Sequence, residues 1–554
     1  MNTQKITQNS DRHPPADVKY TYGTAGFRAN AGILDSVFYR VGLLAALRSK
    51  AVGGQTIGVM VTASHNPEQD NGVKLIDPRG EMLKATWEVY ATRLANARDS
   101  SELNSVLENI VSVESIDLST PARIIHGNDT RPSGPALVQS LKDGLEAMDA
   151  ESTDAGLVTT PILHYLVRCI NTAHTPEAYG EPTENGYFKK LADAFTKLAK
   201  GRDPLPELTV DCANGVGAPV LKKFSNVITQ QRFPIKIVGD ATSTEGALNY
   251  QSGADYVKTQ QKAPPAVQLD PGQRYCSFDG DADRIVYYYV NANGEFKLLD
   301  GDKIATLAAG FIISLVKDAG LTLEVGVVQT AYANGASTAY LTSDLKVPVK
   351  CAKTGVKHLH HLAEEFDVGV YFEANGHGTV LFSDNALKAI NESTNESQAL
   401  NDLKALVDLI NQTVGDAISD MLLVEIILLH RQMTSDAWDQ AYQDLPNRLV
   451  RVYVGDRYAF ETEDAERKVV KPSGLQRTID DIVARHDKGR SFVRPSGTED
   501  CVRVYSEANT REAADGEFSI MTELDGNSYA ELAQEVGRAV FSVAGTGDLP
   551  NKFT

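Results

Sequence analysis

Short apolar runs that alternate with longer helical patterns restrict this chain more than any other feature. Residues 55–62 (QTIGVMVT), 208–213 (LTVDCA), 274–278 (RYCSF), 324–329 (EVGVVQ) and 367–372 (DVGVYF) are too short for helices and nearly continuous in apolar character. They predict buried strands of α/β domains. Each run gives way at once to a polar loop rich in Gly or Asn, and ligands of open α/β sheets bind outside the carboxyl ends of strands. The loops opening at Ala63, Asp279 and Glu373 are therefore the first places to look for chemistry.

At 554 residues the chain exceeds one core and predicts about three to five domains. The Pro/Gly/Glu-rich stretch 175–186 (TPEAYGEPTENG) links a first domain to a second, and 291–294 (NANG) reads as a hairpin turn closing the second before an apolar helix at 301–316. A third runs through a helical stretch near 401–431, with polar 383–398 as a surface excursion. The last block changes texture. RLVRVYV and CVRVYSE alternate, and a helix-like tail follows at 528–543, which predicts a smaller α+β domain. The expected domains are 1–184, 185–298, 299–445 and 446–554. The three α/β blocks share a strand–loop–helix pattern without an alignable repeat.

Charge and cysteine usage exclude several classes. With 54 Lys plus Arg against 73 Asp plus Glu, the net charge is −19, which disfavours nucleic acid and anionic membrane as partners. Five cysteines lie far apart with no CxxC, as expected of a reducing, cytoplasmic compartment rather than a disulfide framework. Residues 1–20 lack the order of a targeting segment, and the apolar run 304–316 is too short to span a bilayer. The Asn-x-Ser/Thr sequons at Asn128, Asn391, Asn395 and Asn411 carry no meaning in such a compartment.

Four loops carry the chemistry. The first reads Thr62-Ala63-Ser64-His65-Asn66-Pro67, with Lys74 downstream. A small residue before Ser64 and a proline ending the loop expose a hydroxyl at a strand end, beside cations suited to phosphoryl transfer, although a helix cap has the same composition. The second, Asp279-Gly280-Asp281-Ala282-Asp283-Arg284, spaces three carboxylates at every second position, so that an extended segment aims them to one side. Their repulsion calls for a cation, and all-oxygen ligands select Mg²⁺ or Ca²⁺ over zinc; an exposed acidic turn is the alternative. Val290 stands at the twelfth position, so the loop is no EF-hand. The third, Glu373-Ala374-Asn375-Gly376-His377-Gly378, offers acceptors, donors and close approach to sugar hydroxyls, or is a polar turn after a strand. In the fourth, Arg494-Pro495-Ser496-Gly497-Thr498-Glu499, an Arg fork, hydroxyls and loop N–H groups form a metal-free phosphate cradle. Val502 and Val504 facing the core turn Arg503 toward the loop side.

Three weaker features complete the reading. His358, His360 and His361 begin a helical pattern with no carboxylate or Cys to complete a metal site. Asn214-Gly215-Val216-Gly217 follows a strand, but Val220 replaces the third glycine of a dinucleotide fingerprint. Gly23-Thr24-Ala25-Gly26-Phe27-Arg28 is a plain turn or aims Arg28 at a phosphate.

In this order, GTAGFR, TASHNP, DGDADR, EANGHG and RPSGTE resemble the α-D-phosphohexomutase superfamily over nearly the whole chain. Within it, EANGHG, the EQDNGVK continuation and DCANGVG are similar to the phosphoacetylglucosamine mutase family rather than to phosphoglucomutases or phosphomannomutases, the neighbouring alternatives. The resemblance implies three mixed α/β domains and a smaller C-terminal α+β domain around a central cleft. It implies interconversion of N-acetylglucosamine 6-phosphate and 1-phosphate through a phosphoserine and a bisphosphorylated sugar, feeding UDP-N-acetylglucosamine synthesis. Ser64 becomes the phosphoserine, binding one Mg²⁺ per chain with Asp279, Asp281 and Asp283, and a glucosamine-type bisphosphate primes it. Glu373, Ala374, Asn375 and His377 hold the sugar. Arg494, Pro495, Ser496, Gly497, Thr498 and Arg503 bind the non-reacting phosphate, and Lys74, Arg28 or His65 serves proton transfer. The last domain is expected to close about a hinge near Pro446. The partner is a hexosamine phosphate, with no obligate protein partner; a non-catalytic sugar-phosphate-binding relative and a Mg²⁺-dependent phosphatase are the rival classes.

Overall fold

A computed structural model describes residues 1–228, 231–496, 500–510 and 532–546. Two units divide the chain, 1–323 with 375–437, and 324–374 with 438–554.

The first unit is built on two five-stranded sheets. One takes β1 (Phe27–Asn30), β2 (Thr56–Val61), β3 (Asp70–Ile76), β4 (Arg123–Asn128) and β5 (Glu151–Leu157) in the order β1-β3-β2-β4-β5. Every residue of β2 is buried, and it pairs in parallel with β4 and antiparallel with β3. Helices Asp35–Ala51 and Gly134–Ala147 cover this sheet and approach closely because Gly42 and Gly144 carry no Cβ; one on Gly144 would lie 2.0 Å from Tyr39 O. The second sheet joins β6 (Leu208–Asp211), β7 (Ile235–Val238), β8 (Arg274–Phe278), β9 (Ile285–Val290) and β10 (Phe296–Leu299) in the order β10-β9-β8-β6-β7. The NANG turn links the antiparallel pair β9 and β10, and the apolar helix Gly301–Asp318 follows, capped by Asp300.

The second unit begins with β11 (Val325–Thr330), β12 (Val349–Ala352) and β13 (Val368–Phe372), where β11 pairs in parallel with both others. After β14 (Gly378–Phe382), the first unit continues with helices Asp384–Glu392, Gln398–Leu409 and Ala417–Arg431. The expected excursion at 383–398 is thus partly helical, because Ala386 and Ile390 give it a buried face. The helical stretch near 401–431 is two helices, separated by a turn in which Asn411 and Asp416 cap backbone groups.

The C-terminal part of the second unit is an antiparallel sheet of β15 (Asn447–Tyr453), β18 (Arg490–Pro495) and β19 (Cys501–Glu507), ordered β15-β19-β18, with a separate pair β16 (Glu461–Glu463) and β17 (Lys468–Lys471). Helix Leu532–Ala544 packs Val536 and Val540 onto Val450, Val452, Val502 and Val504, the alternate residues of β15 and β19. The rest of the expected helix, 528–531, and the stretch 511–527 lie outside the described residues.

Candidate active site

The first loop leaves the end of β2 and places Ser64 in the left-handed region at φ 52°, uncommon for a residue with a Cβ. Thr62 holds it there. Its Oγ1 accepts from Ser64 N at 2.9 Å and donates to Asp129 Oδ2 at 2.6 Å. The sequence led us to expect an exposed hydroxyl; Ser64 is instead fully buried, because the acidic loop closes over it. Ser64 Oγ donates to Asp279 Oδ2 at 2.5 Å, and a Cβ on Gly280 would lie 2.6 Å from Ser64 O.

The acidic loop between β8 and β9 corrects a second expectation. Its carboxylates do not converge by strand alternation. A turn closed by Ala282 N donating to Asp279 O, with Ala282 at φ 58°, brings oxygens of Asp279, Asp281 and Asp283 within 4.8 Å of one another. All three side chains are buried. Asp279 Oδ1 accepts from the N–H groups of Asp283 and Arg284 at 3.1 and 3.3 Å. Asp281 Oδ2 accepts from Thr160 Oγ1 at 2.6 Å and Lys74 Nζ at 3.1 Å, and Asp283 Oδ2 from Lys74 Nζ at 3.2 Å.

The remaining oxygens, Asp281 Oδ1 and Asp283 Oδ1, are buried without a hydrogen-bond partner. Orphaned buried anions are costly unless a cation meets them, and a donor set of carboxylate oxygens fits Mg²⁺. The charge balance agrees. Burial, then Asp283 and Asp281, push the Asp279 carboxyl well above its usual range. Burial acts on Asp281 too, but Lys74 and Thr160 outweigh it and hold that carboxyl well below. Burial and then Asp281 work to raise Asp283, but His377, Lys74 and Arg284 together outweigh them and leave it lowered.

Cations surround the trio. Lys74, on β3 opposite Met60, stays protonated: burial works against its charge, but Asp281 and Asp283 raise it above its ordinary value. Arg28, on β1 opposite Gly72, is lowered first by burial and then by Arg284. Arg284 Nε lies 3.7 Å from Asp283 Oδ1 and 3.8 Å from Asp279 Oδ2. His65 is driven well below its ordinary value by Arg284, burial and Arg28, so its imidazole is neutral.

The sugar loop is docked through its glycine. Gly376 adopts φ 86°, Ile285 N donates to Gly376 O, and a Cβ there would meet Ile285 O at 1.8 Å. Asn375 Oδ1 accepts from His377 N at 3.0 Å, and His377 Nδ1 stands 3.7 Å from Asp283 Oδ1, beside the acids.

Glu373 and Ala374 belong to the second unit, where Glu373 Oε1 accepts from Gly355 N at 3.0 Å. There Arg494 and Pro495 end β18, and Arg494 faces Arg503 in register. Arg494 Nε donates to Glu466 Oε1 at 2.9 Å, while Glu466 Oε2 accepts from Thr354 N and Oγ1 at 2.9 and 2.6 Å. Ser496 N donates to Cys501 O, and Val502 and Val504 are buried while Arg503 is half-buried. Gly497 and Thr498 lie outside the described residues.

Sequence reasoning missed Thr160, Asp129, Arg131 and Glu466. Arg131 donates to the Ser64 carbonyl at 3.0 Å. Its signal was the polar stretch 128–134 (NDTRPSG) leaving β4 as the Ser64 loop leaves β2. Of the weaker features, His360 is buried against the Tyr371 hydroxyl, 3.0 Å away.

Residues 181–286 and 300–433 match domains II and III of phosphoacetylglucosamine mutase AMG1. Residues 43–99 with 106–175 match the alpha/beta/alpha domain I of phosphoglucomutase/phosphomannomutase, and 449–523 its C-terminal domain. The phosphoacetylglucosamine mutase of Sus scrofa is 50% identical over 561 residues, covering 99% of both chains, and that of Homo sapiens 49% identical, covering 98% of both. Among solved structures, Aspergillus fumigatus N-acetylphosphoglucosamine mutase in complex with GlcNAc-6P and magnesium is 51% identical with a TM-score of 0.92, covering 99% of this chain and 100% of that one. With four phosphohexomutase-type domains matched in order and whole-length relatives at this identity, the chain belongs to the phosphoacetylglucosamine mutase family.

Proposed function

We infer that this protein is a phosphohexomutase that interconverts N-acetylglucosamine 6-phosphate and N-acetylglucosamine 1-phosphate, with Ser64 as the phosphoryl carrier. The observation that carries this reading is the Ser64 hydroxyl bonded at 2.5 Å to one of three clustered buried carboxylates. The family relatives and the A. fumigatus complex with GlcNAc-6P and magnesium support the substrate class and the ion.

The reaction runs in two transfers. The bond from Ser64 Oγ to phosphorus breaks, a bond from the sugar's free O1 to phosphorus forms, and the hydroxyl proton is released. The resulting bisphosphate turns end for end and returns its O6 phosphate to Ser64. A glucosamine-type bisphosphate primes the serine in the same way. Mg²⁺, one per chain, would be held by Asp279, Asp281, Asp283 and the phosphoserine and would supply charge against that building on the transferring oxygens.

Lys74 and Arg28 add fixed positive charge beside the same oxygens, and the positive, buried surroundings that keep His65 neutral make it a weak base. Water that reached the phosphoserine would hydrolyse it, so transfer requires a site closed to solvent. Glu373, Ala374, Asn375 and His377 hold the sugar. Arg494, Pro495, Ser496, Gly497, Thr498 and Arg503 hold the non-reacting phosphate and must read it from either end of the sugar.

The domains are bounded near 184, 298 and 445. No helix of the described residues is long and apolar enough to cross a membrane. The free cysteines support a reducing, cytoplasmic setting, where the 1-phosphate feeds UDP-N-acetylglucosamine synthesis.

Intact mass and peptide mapping of the purified protein test the carrier, with a parallel assay on N-acetylglucosamine 6-phosphate and glucose 6-phosphate. One phosphate on Ser64, preferential turnover of the acetylated sugar, and loss of turnover in a folded Ser64→Ala variant are expected. Mutase activity retained by Ser64→Ala would overturn the reading.

A further inference from the structure

The segment 211–217, which fails as a dinucleotide fingerprint, and the loop 239–252 take no part in the chemistry described so far. They meet through Asn214. Its Nδ2 donates to Ala247 O and its Oδ1 accepts from Ala241 N, both at 3.0 Å, so one side chain closes both ends of a loop. Asn249 sits in that loop at φ 59°, and its N–H donates to Ala213 O at 2.9 Å.

Asn249 Nδ2 then reaches out of the loop, to Ser64 O at 2.8 Å and Asn66 O at 2.9 Å. Arg131 Nη2 donates to the same two carbonyls, at 3.0 and 2.9 Å. A carbonyl oxygen has two lone pairs, so both acceptor positions on Ser64 O and on Asn66 O are filled by side chains from two different loops. Arg131 Nη1 grips Pro67 O and Asp70 O at 2.6 and 2.8 Å, and its Nε pairs with buried Asp129 at 3.1 Å.

The same segment also touches the acidic loop. Val216 N donates to Gly280 O at 3.1 Å, and a Cβ on Gly215 would lie 2.3 Å from that oxygen. One short stretch thus sets the height of Gly280 and, through Asn249, that of Ser64. Thr62 Oγ1 restrains the N–H of left-handed Ser64, and Asn249 and Arg131 restrain its carbonyl.

We propose that Asn249 is a positioning residue for phosphoryl transfer, pinning the Ser64 and Asn66 carbonyls opposite Arg131 so that Ser64 Oγ stays aimed at the acidic loop, with Asn214 holding the two loops in register. Among the described residues Asn249 has no hydrogen bond to the Ser64 hydroxyl or to an acidic side chain; it acts through the backbone. The proposal rests on Ser64 as the phosphoryl carrier.

The test uses Asn249→Asp, which keeps the shape and the tolerance of positive φ but turns the donor into an acceptor, and Asn249→Ala. Both are measured in the full-length chain with Mg²⁺ for kcat, KM, phosphate on Ser64 by intact mass, and thermal midpoint. A misplacement on the ångström scale costs about 100-fold in rate. We therefore expect kcat to fall by about that factor with KM within roughly threefold and the midpoint within a few degrees of the parent. Parental kcat in Asn249→Asp overturns the proposal. So does a rise in KM that accounts for the lost kcat/KM, or a drop in midpoint that explains the lost activity by unfolding. A parent chain that turns over without phosphate on Ser64 overturns the carrier role instead, which separates the two failures.

Discussion

Lys74 and Asp281 meet at 3.1 Å from two different sheets, Lys74 on β3 and Asp281 beyond the end of β8, and Lys74 spans on to Asp283 at 3.2 Å. The lysine side chain is 13% exposed and that of Asp281 fully buried, so neither charge is stable there without the other. Asp281→Asn should therefore do more than remove one oxygen ligand; it leaves Lys74 half-compensated and repels the incoming cation. We expect turnover to fall at least about 10²-fold, the scale of losing one preorganised electrostatic group, and Mg²⁺ half-saturation to move to higher concentration. Titration of activity against Mg²⁺, with calorimetric binding of the ion, checks both. An unchanged metal dependence would sink the assignment of the acidic loop.

Gly280 offers a steric counterpart. A Cβ at this position would sit 2.6 Å from Ser64 O and 2.9 Å from Asn249 Nδ2. Backbone cannot yield cheaply, so Gly280→Ala should push the acidic loop away from Ser64 without removing any charged group. Turnover should drop about 100-fold with little change in thermal midpoint. Full activity in the variant would mean that the two loops need not stand this close.

The five apolar runs were legible as strands because their burial is continuous, and β2, β6, β8, β11 and β13 stand where those runs fall. The sequence ESTDAGL of β5 carried no such signal: it is an exposed edge strand, made by pairing with β4 rather than by its own pattern. The site was legible by residue type and loop position but not by geometry. Alternation along an extended segment suggested how the acids converge, whereas a left-handed Ala282 brings them together. Ser64 looked exposed because nothing in its own loop announces the lid formed by Gly280. Asn249 was hidden for a related reason: it acts on carbonyls, which have no sequence signature, whereas Arg131 at least stood in the polar stretch 128–134.

Arg494 should bind phosphate whichever end of the sugar it belongs to. Its Nε is occupied by Glu466, which leaves the guanidinium oriented and still positively charged; burial works against that charge, and Glu466 more than offsets it. Arg494→Ala should raise KM for the 6-phosphate and the 1-phosphate alike, roughly 10- to 100-fold, the range of hydrogen bonds to a charged group. Steady-state kinetics in both directions check this. An increase for one isomer alone would contradict a cradle shared by both.

His164 gives the pH dependence its sign. It lies in helix Thr160–Thr172, four residues past the Thr160 that bonds Asp281, and it is buried with Nδ1 2.6 Å from Gly80 O. Burial is the main cause that lowers it to about 4 from 6.5; the Gly80 bond opposes this and Lys74 adds to it. The unfolded chain therefore binds a proton near pH 6.5 that the folded chain refuses until near pH 4. Stability from this group is complete above 6.5 and drains away as pH falls toward 4, by roughly 3 kcal/mol at about 1.4 kcal/mol per tenfold in proton affinity. His164→Asn retains a donor for Gly80 O and does not titrate. Denaturant midpoints measured from pH 7 down to pH 4.5 should fall more steeply for the parent than for the variant, the remaining slope coming from other histidines held low, such as His65 and His126. Identical slopes in the two chains would show that His164 is not what acid unfolds first.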